Sequence, residues 1–146
     1  MKIECNGGGM VRILSIDHLV LRTSHLTEMV EFYTEVLGCS LARDEVAQLG
    51  LLQLRAGDAL IDLVVVDSEL GKLGGGPPLS TNRNLEHFCL RLAKIDNQSL
   101  INHLKAKQVE FEPFALRNGA QGFGDSIYIY DPDGNKVELK SEISDR

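Results

Sequence analysis

Ile16-Asp17-His18-Leu19-Val20-Leu21-Arg22 occurs a second time, with similar residue types, as Leu85-Glu86-His87-Phe88-Cys89-Leu90-Arg91. Both stretches read apolar, acidic, His, apolar, small apolar, Leu, Arg. The two histidines are 69 residues apart (87 − 18), about half of the 146-residue chain. In a strand, alternate side chains share a face, so the histidine and the arginine of each copy lie on the same side. The repeat predicts two related modules, each with a histidine-bearing first strand.

A second repeat lies near the end of each half. Gly57–Leu63 matches Asp133–Leu139 without a gap, at an offset of 76 residues between Asp62 and Glu138 (138 − 62). Each copy has a turn, two residues, a β-branched residue, a carboxylate and a leucine. Burying a charge without a partner is expensive, so a carboxylate inside such an apolar strand needs one. With two copies only, we predict a pseudo-two-fold pair of modules and no solenoid.

The remaining pattern predicts the order β-α-β-β-β in each half, and thus an α+β protein. In the first half we predict strands at 11–22, from 41 onward, at 49–54 and at 59–66. Between the first two we predict a helix that Ser24 caps and Gly38 ends. In the second half we predict a helix over 97–107 and strands at 85–92, 109–114, 125–130 and 136–140, with a Gly-rich loop over 118–124.

The predicted organisation is one domain over 11–140. Module one covers about 11–70, a Gly- and Pro-rich linker about 71–80, and module two about 81–140. Residues 1–10 are interpreted as a flexible leader and 141–146 as a tail.

Composition excludes several classes of protein. The formal net charge is −6, with 15 Lys and Arg against 21 Asp and Glu, which argues against nucleic-acid binding. No apolar run approaches the ~18 residues of a membrane span, so no membrane association is expected. Three cysteines form no metal-type pair and no disulfide framework, so a reducing cytoplasm is the expected location.

Each module supplies one histidine and one carboxylate that could share a site: His18, Asp62, His87 and Glu138. If the modules pair about a pseudo-two-fold axis, these four side chains converge. Two imidazoles with one or two carboxylates suit a divalent ion such as Zn, Ni, Mn, Fe or Co. The alternative is that all four are ordinary strand residues, hydrogen-bonded or facing solvent.

The arginines of the repeat are candidates for substrate binding. Arg22 and Arg91 lie on the faces of His18 and His87, ~13 Å farther along each strand. A guanidinium there would suit a carboxylate or the tail of a thiol conjugate, and the alternative is a salt bridge at the rim. Three other residues, His25, Cys89 and His103, are interpreted as structural, with Cys89 a small core residue.

Three segments resemble the vicinal oxygen chelate superfamily, which includes glyoxalase I, fosfomycin-resistance proteins, bleomycin-binding proteins and extradiol dioxygenases. They are the first strand with the helix end Phe32-Tyr33-Thr34-Glu35-Val36-Leu37-Gly38, the stretch Leu85–Leu90, and Tyr130-Asp131-Pro132-Asp133-Gly134-Asn135-Lys136-Val137-Glu138-Leu139. The resemblance covers about residues 13–140 and implies two βαβββ modules that form a cupped mixed sheet around a divalent metal.

Residue by residue, the resemblance implies metal ligands at His18, His87 and Glu138. A fourth ligand would stand at Asp62, where glyoxalase I typically has a longer Glu. Fosfomycin-resistance proteins use three ligands, so Asp62 is alternatively an outer group or a base. An arginine at the position of Arg22 resembles the one that contacts glutathione in glyoxalase I.

The sequence therefore predicts a metal-dependent, glyoxalase-like lyase or isomerase that acts on a small substrate with vicinal oxygens. Such a metal acts as a Lewis acid, and Glu138 or Asp62 would move a proton at the neighbouring carbon. The alternatives are a bleomycin-resistance-type binding protein without catalysis, or a dioxygenase. We expect a homodimer, in which modules pair within one chain or between two.

Overall fold

The computed structural model of the protein describes residues 10–142, in which two modules follow one another with the same strand order. Module one contains β1 (His18–Thr23), α1 (Leu26–Glu31) with a π-helical turn (Phe32–Val36), β2 (Ser40–Glu45), α2 (Val46–Leu49), β3 (Leu51–Ala56) and β4 (Ala59–Val65). The connection begins with α3 (Glu69–Lys72). Module two contains β5 (Phe88–Leu92), α4 (Asn97–Ala106), β6 (Ala115–Arg117), β7 (Gly124–Tyr130) and β8 (Lys136–Ser141).

Each module forms its own four-stranded mixed sheet. The strand orders are β1-β4-β3-β2 and β5-β8-β7-β6, so corresponding strands occupy corresponding places. The first strand of each module pairs in parallel with the last, and the other pairs are antiparallel. The prediction of an α+β protein built from two tandem βαβββ modules is confirmed.

The central strands β4 and β8 separate the core from the candidate site. Ile61 and Leu63 belong to the hydrophobic core, whereas Asp62 between them points to the opposite face and is also buried. In β8, Glu138 lies in the same way between Val137 and Leu139. Alternation therefore places both carboxylates away from the core, on the face that carries the histidines.

One hydrophobic cluster joins the two modules. It contains residues of α1, α4 and both sheets, among them Met29, Tyr33, Leu54, Leu104 and Ile129, each fully buried. Tyr33 donates a hydrogen bond of 2.8 Å to Asp131 Oδ2 across the modules. Burial raises the pKa of Tyr33 well above its usual value, with Asp131 adding to the effect, so the phenol remains a donor.

The N-terminal part of module one differs from the prediction. The strand expected over 11–22 begins only at His18. In the exposed segment 10–17, the Asp17 carbonyl accepts a backbone hydrogen bond from the Leu60 N–H of β4, and residues 10–16 form no strand pairing within the described part of the chain. Ser24 does not cap α1. His25 stands at the N-cap without a side-chain cap, and Thr23 Oγ1 accepts a hydrogen bond from the His25 N–H.

Two further strands are displaced from their predicted positions. The strand expected at 49–54 lies at Leu51–Ala56, because a helical turn ends at Gly50 with φ +71°. In place of a strand at 109–114, only Phe111 makes an isolated bridge to Ile129. The strand follows at Ala115–Arg117, after Pro113, which has no N–H for a ladder.

Residues 1–9 and 143–146 lie outside the described part of the chain, so the predicted leader and most of the predicted tail fall there. The domain boundaries given above remain predictions. None of the helices within residues 10–142 is long and apolar enough to span a membrane.

The linker is fastened to β1 by Arg22. Its guanidinium donates to the backbone carbonyls of Gly71 (3.1 Å), Gly74 (2.8 Å), Gly75 and Gly76 (3.1 Å). A Cβ at Gly74 would lie 2.5 Å from Arg22 Nε, so a glycine is needed for this close approach. The segment that its composition marks as flexible is therefore held along the edge of module one.

Replacing Tyr33 by Phe should destabilise the protein by about 1–2 kcal/mol, because the hydroxyl that donates to buried Asp131 is lost. Urea denaturation measures this change. Tyr130→Phe is the matched control, since Tyr130 donates to Glu112 at a less buried site and should cost less than about 1 kcal/mol. Equal losses in the two variants would contradict the role given to the Tyr33–Asp131 contact.

Replacing Arg22 by Met should release the linker, because four backbone carbonyls lose a charged donor. We expect amide hydrogen exchange at Gly74, Gly75 and Gly76 to become roughly tenfold faster or more, measured by mass spectrometry. Arg43→Met, which removes an exposed arginine paired with Glu45, should leave the linker unchanged. Unchanged exchange in the Arg22 variant would show that the contact does not hold the linker.

Candidate metal centre

Module two brings His87 and Glu138 together. His87 directly precedes β5, Glu138 lies in β8, and His87 Nε2 is 3.2 Å from Glu138 Oε2. The Nδ1 atom of His87 is bonded to Glu86, and the imidazole contacts the Tyr128 ring edge-on at 5.3 Å between centroids. Glu138 is buried, and its Oε1 atom has no hydrogen-bond partner. The fixed imidazole thus faces a buried carboxylate with a free oxygen.

Module one places His18 and Asp62 at corresponding positions, although no hydrogen bond or ion pair joins these two side chains among the described residues. His18 is the first residue of β1, and its Nδ1 donates to Asp17 Oδ1 at 2.6 Å. This hydrogen bond raises the pKa of His18, and the negative charge of Asp62 raises it further. Asp62 is buried, accepts a hydrogen bond of 2.9 Å from Gln53 Nε2 on Oδ2, and has no partner on Oδ1.

These two pairs fit a divalent metal ion. Buried polar atoms normally have hydrogen-bond partners. Four carboxylate oxygens among the described residues lack one, on Glu45, Asp62, Asp133 and Glu138. Those of Asp62 and Glu138 stand at equivalent positions of the two repeats, on the strand faces that carry His18 and His87. Imidazole nitrogen with carboxylate oxygen is a common donor set for first-row divalent metals. A carboxylate on Nδ1 fixes the tautomer of a ligating histidine, and Asp17 and Glu86 are placed to do so. Each histidine would therefore offer Nε2 to a metal; at His87 this atom lies 3.2 Å from Glu138 Oε2, the other candidate ligand of module two.

The structure does not collect all four residues at one point. Within residues 10–142, no group of three or more His, Cys, Asp and Glu side chains has the geometry of a metal site. The chain brings His87 to Glu138, and it places Asp62 close enough to His18 to act on its charge. One chain thus carries two half-sites, one on each module.

The half-site of module two borders a cavity of about 410 Å³. Its walls include the His87 strand, the Glu138 strand and part of the Gly-rich loop, residues 118–121. Cys89 lines this cavity and is exposed, so its assignment to the core was wrong. Cys89 is exposed because it lies on the same strand face as His87, which borders the cavity. Partial desolvation there, with the charge of Glu138, raises the pKa of its thiol to about 11.

The two arginines of the repeat differ in their surroundings. Arg22 is bonded to the linker carbonyls. Arg91 is exposed and lines the cavity beside His87. Of the pair, Arg91 is the one positioned to meet a ligand in module two, and substrate binding by both remains a prediction.

Sequence reasoning missed the residues that support the candidate ligands. Asp17 and Glu86 were visible as the acidic position of the repeat, which is a signal for an orienting partner of each histidine. Gln53 had no such signal, because the opposing residue in module two is Tyr128. The structural interpretation of His25 and His103 agrees with their contacts across the modules. His25 Nδ1 lies 2.7 Å from Asp133 Oδ1, and His103 Nε2 lies 2.7 Å from the Val36 carbonyl oxygen.

Similar proteins share both the sequence and the fold. Residues 15–139 match the family model described as Glyoxalase/Bleomycin resistance protein/Dioxygenase superfamily. Virulence protein STM3117 of Salmonella typhimurium is 32% identical over 129 residues, covering 88% of this chain and 84% of that protein. The crystal structure of STM3117 superposes with a TM-score of 0.69, at 27% identity, over 91% of this chain and 100% of that one.

Two other solved structures show the same architecture. The integron cassette protein VCH_CASS1 of V. cholerae has a TM-score of 0.70 and 26% identity, over 92% of this chain and 100% of its own. The fosfomycin resistance protein FosX of Listeria monocytogenes has a TM-score of 0.62 and 19% identity, over 92% and 96%, which is a likeness of fold alone. With its repeated strands, its two βαβββ modules and this family match, the chain belongs to the glyoxalase/bleomycin resistance protein/dioxygenase superfamily.

Proposed function

We propose that the protein is a divalent-metal-dependent, glyoxalase-like enzyme of the lyase or isomerase type, acting on a small substrate with vicinal oxygens. The observation that carries this proposal is repeated in the two modules: Asp62 Oδ1 and Glu138 Oε1 are buried carboxylate oxygens without hydrogen-bond partners. Glu138 contacts His87 directly, and Asp62 lies close enough to His18 to act on its charge. Members of the superfamily commonly use divalent metals, which supports the proposal. The candidate ions are Zn, Ni, Mn, Fe and Co.

The site would be completed by a second copy of the chain. One shared hydrophobic cluster joins the two modules, while their half-sites lie apart. In the homodimer that we propose, His18 and Asp62 of one protomer meet His87 and Glu138 of its partner. Each dimer would then hold two equivalent sites, as two-fold symmetry requires.

The protein's own residues would divide the chemistry between them. When bound, the metal would supply Lewis acidity to two substrate oxygens. Asp62 is anchored by Gln53, which favours a fixed ligand role with its free Oδ1. Glu138 has no hydrogen bond on Oε1, so we assign it the transfer of a proton at the carbon next to those oxygens. Asp62 is the second candidate for that transfer.

Two other functions are compatible with the superfamily. A bleomycin-resistance-type binding protein would hold a ligand in the dimer cleft without metal, and it would have no use for two histidine–carboxylate pairs. A dioxygenase would need three ligands and open positions for oxygen. Metal content after purification without chelators separates the enzymes from the binder. Turnover of methylglyoxal with glutathione, a thiol conjugate substrate, tests the glyoxalase reaction.

Removing His18 or His87 should each abolish tight metal binding, because one ligand is lost from both sites of the dimer. Mixing His18→Ala with His87→Ala protein should then restore binding. In a mixed dimer one site carries both lesions and the other carries none, so random exchange should return about a quarter of the wild-type metal content. Elemental analysis after refolding the mixture measures this.

The same mixture separates the two ways in which modules pair. If the modules paired within one chain, every site would keep one lesion and the mixture would bind no more metal than either variant. The double variant His18→Ala/His87→Ala is the control. Every protomer lacks both histidines, so refolding it should restore no metal binding. Full metal content in that double variant would overturn the proposed site.

Glu138→Gln should abolish turnover of whichever substrate the protein accepts, while the fold is retained. The amide keeps the shape of the carboxylate but cannot accept a proton, so a loss of at least about a hundredfold in kcat is expected. Glu112→Gln, on a carboxylate that accepts a hydrogen bond from Tyr130 outside the site, is the matched control. Wild-type kcat in Glu138→Gln would remove Glu138 from the chemistry.

A further inference from the structure

Lys140 places a buried positive charge in the wall of the cavity. It lies two residues after Glu138 on the same face of β8, lines the cavity and is 8% exposed. Its ammonium donates to two neutral backbone oxygens, those of Arg117 (2.9 Å) and Gly122 (2.5 Å). Within the described residues no carboxylate lies within 4 Å of it. A buried charge without an opposite charge is unfavourable, so this environment favours an added anion.

A second cation stands directly beside the first. Arg91 and Lys140 are paired in the register of β5 and β8, and both line the cavity. Like charges at directly opposed positions of neighbouring strands destabilise a sheet. The exposed guanidinium of Arg91 has neither a hydrogen-bond partner nor an ion-pair partner among residues 10–142, whereas its equivalent Arg22 is bonded to the linker. An anion between the two side chains would relieve the repulsion.

The Gly-rich loop contacts Lys140 at the same cavity. By donating to the carbonyls of Arg117 and Gly122, Lys140 fastens the two ends of the 118–121 segment that covers the cavity. A Cβ at Gly119 would lie 2.9 Å from Lys140 Nζ, so a side chain there would require the ammonium to shift. An ammonium has three N–H donors, and two are used by the loop. The third is left for a ligand.

We propose that Arg91 and Lys140 form a subsite for an anionic group of the substrate: a carboxylate, a phosphate or a phosphonate. This inference rests on the proposed function, because it places that group in the cavity bordered by His87 and Glu138. Two residues along β8 correspond to ~7 Å, so the anionic group lies about that far from the atoms that Glu138 contacts. The substrate is thus a small anion with vicinal oxygens at its other end, which a cavity of about 410 Å³ admits.

Anion binding to metal-free protein tests the subsite. The protein is treated with EDTA, dialysed at low ionic strength, and titrated separately with inorganic phosphate, methylphosphonate and succinate by calorimetry. We expect binding of at least one probe, weakened by roughly tenfold or more in Arg91→Met and in Lys140→Met, as loss of one charged contact implies. Arg43→Met, which removes an arginine paired with Glu45 in module one, should bind as the wild type does.

Thermal unfolding without any anion supplies a second readout. Because Arg91 repels Lys140, Arg91→Met should unfold at the same temperature as the wild type or at a higher one, whereas a purely structural arginine would lower that temperature when removed. Phosphate at saturating concentration should raise the unfolding temperature of the wild type more than that of the variant. Lys140→Met removes contacts to the loop and could fail to fold for that reason alone. In that case Arg91→Met and the charge-retaining Lys140→Arg test whether the two side chains bind an anion.

Three results would overturn the subsite: no binding of any probe to wild-type protein, equal affinities in wild type and Arg91→Met, or an equal loss in Arg43→Met. The relative affinities of the probes identify the anionic group. No metal is present in this experiment, so it can fail while the metal-content tests succeed. A protein that binds phosphate through Arg91 but takes up no metal would keep the subsite and lose the proposed enzyme.

Discussion

The constraint on which this structure depends is the burial of a carboxylate in the central strand of each sheet. Asp62 and Glu138 stand between core residues but point away from the core. Ionised groups are kept out of water only where other polar groups compensate them. The surrounding side chains are arranged accordingly: a histidine beside each carboxylate, an acid on each imidazole, and an amide on Asp62. One oxygen on each carboxylate keeps no hydrogen-bond partner, and this supports the candidate site.

Much of the fold could be predicted from the sequence, because its signals are local. Strand alternation around His18 and His87, and the matching segments that end at Leu63 and Leu139, predicted two modules with the same order of elements. The apolar residues around Asp62 and Glu138 predicted carboxylates within partly buried strands, and the structure shows both side chains buried. The errors in strand bounds lie where pairing decides the outcome, and Ser24 was wrongly expected to cap α1. Phe111 has the pattern of a strand residue, yet it makes only an isolated bridge to Ile129. The strand follows at Ala115–Arg117, after Pro113.

Contacts between distant parts of the chain could not be predicted. The carbonyls that bind Arg22 lie 49 to 54 residues away from it, in a segment whose composition indicates only flexibility. The pairing of Arg91 with Lys140 depends on the register between β5 and β8, which no residue pattern specifies by itself. Cys89 was assigned to the core because its counterpart is Val20, although Val20 is itself half exposed. Repeat symmetry predicts where a residue lies along a strand, whereas contacts with distant segments of the chain decide whether its side chain is buried, bonded or exposed.

The two modules have therefore diverged in charge while keeping the same topology. In module two a free arginine and a buried lysine stand on the cleft face. In module one the equivalent arginine is withdrawn by the linker, so that face keeps less positive charge near His18 and Asp62. In a dimer that joins unlike modules, each cleft would have one basic wall and one more acidic wall. Such polarity would orient an asymmetric ligand.

The position of the Arg22 guanidinium depends on the absence of a side chain at Gly74. Any residue other than glycine at position 74 would place a Cβ 2.5 Å from Arg22 Nε, and the guanidinium would have to shift. The position of a charged group on β1 is thus linked to one residue of the connecting segment. A substitution at position 74 would therefore change the surroundings of an arginine of β1 without altering any residue of that strand.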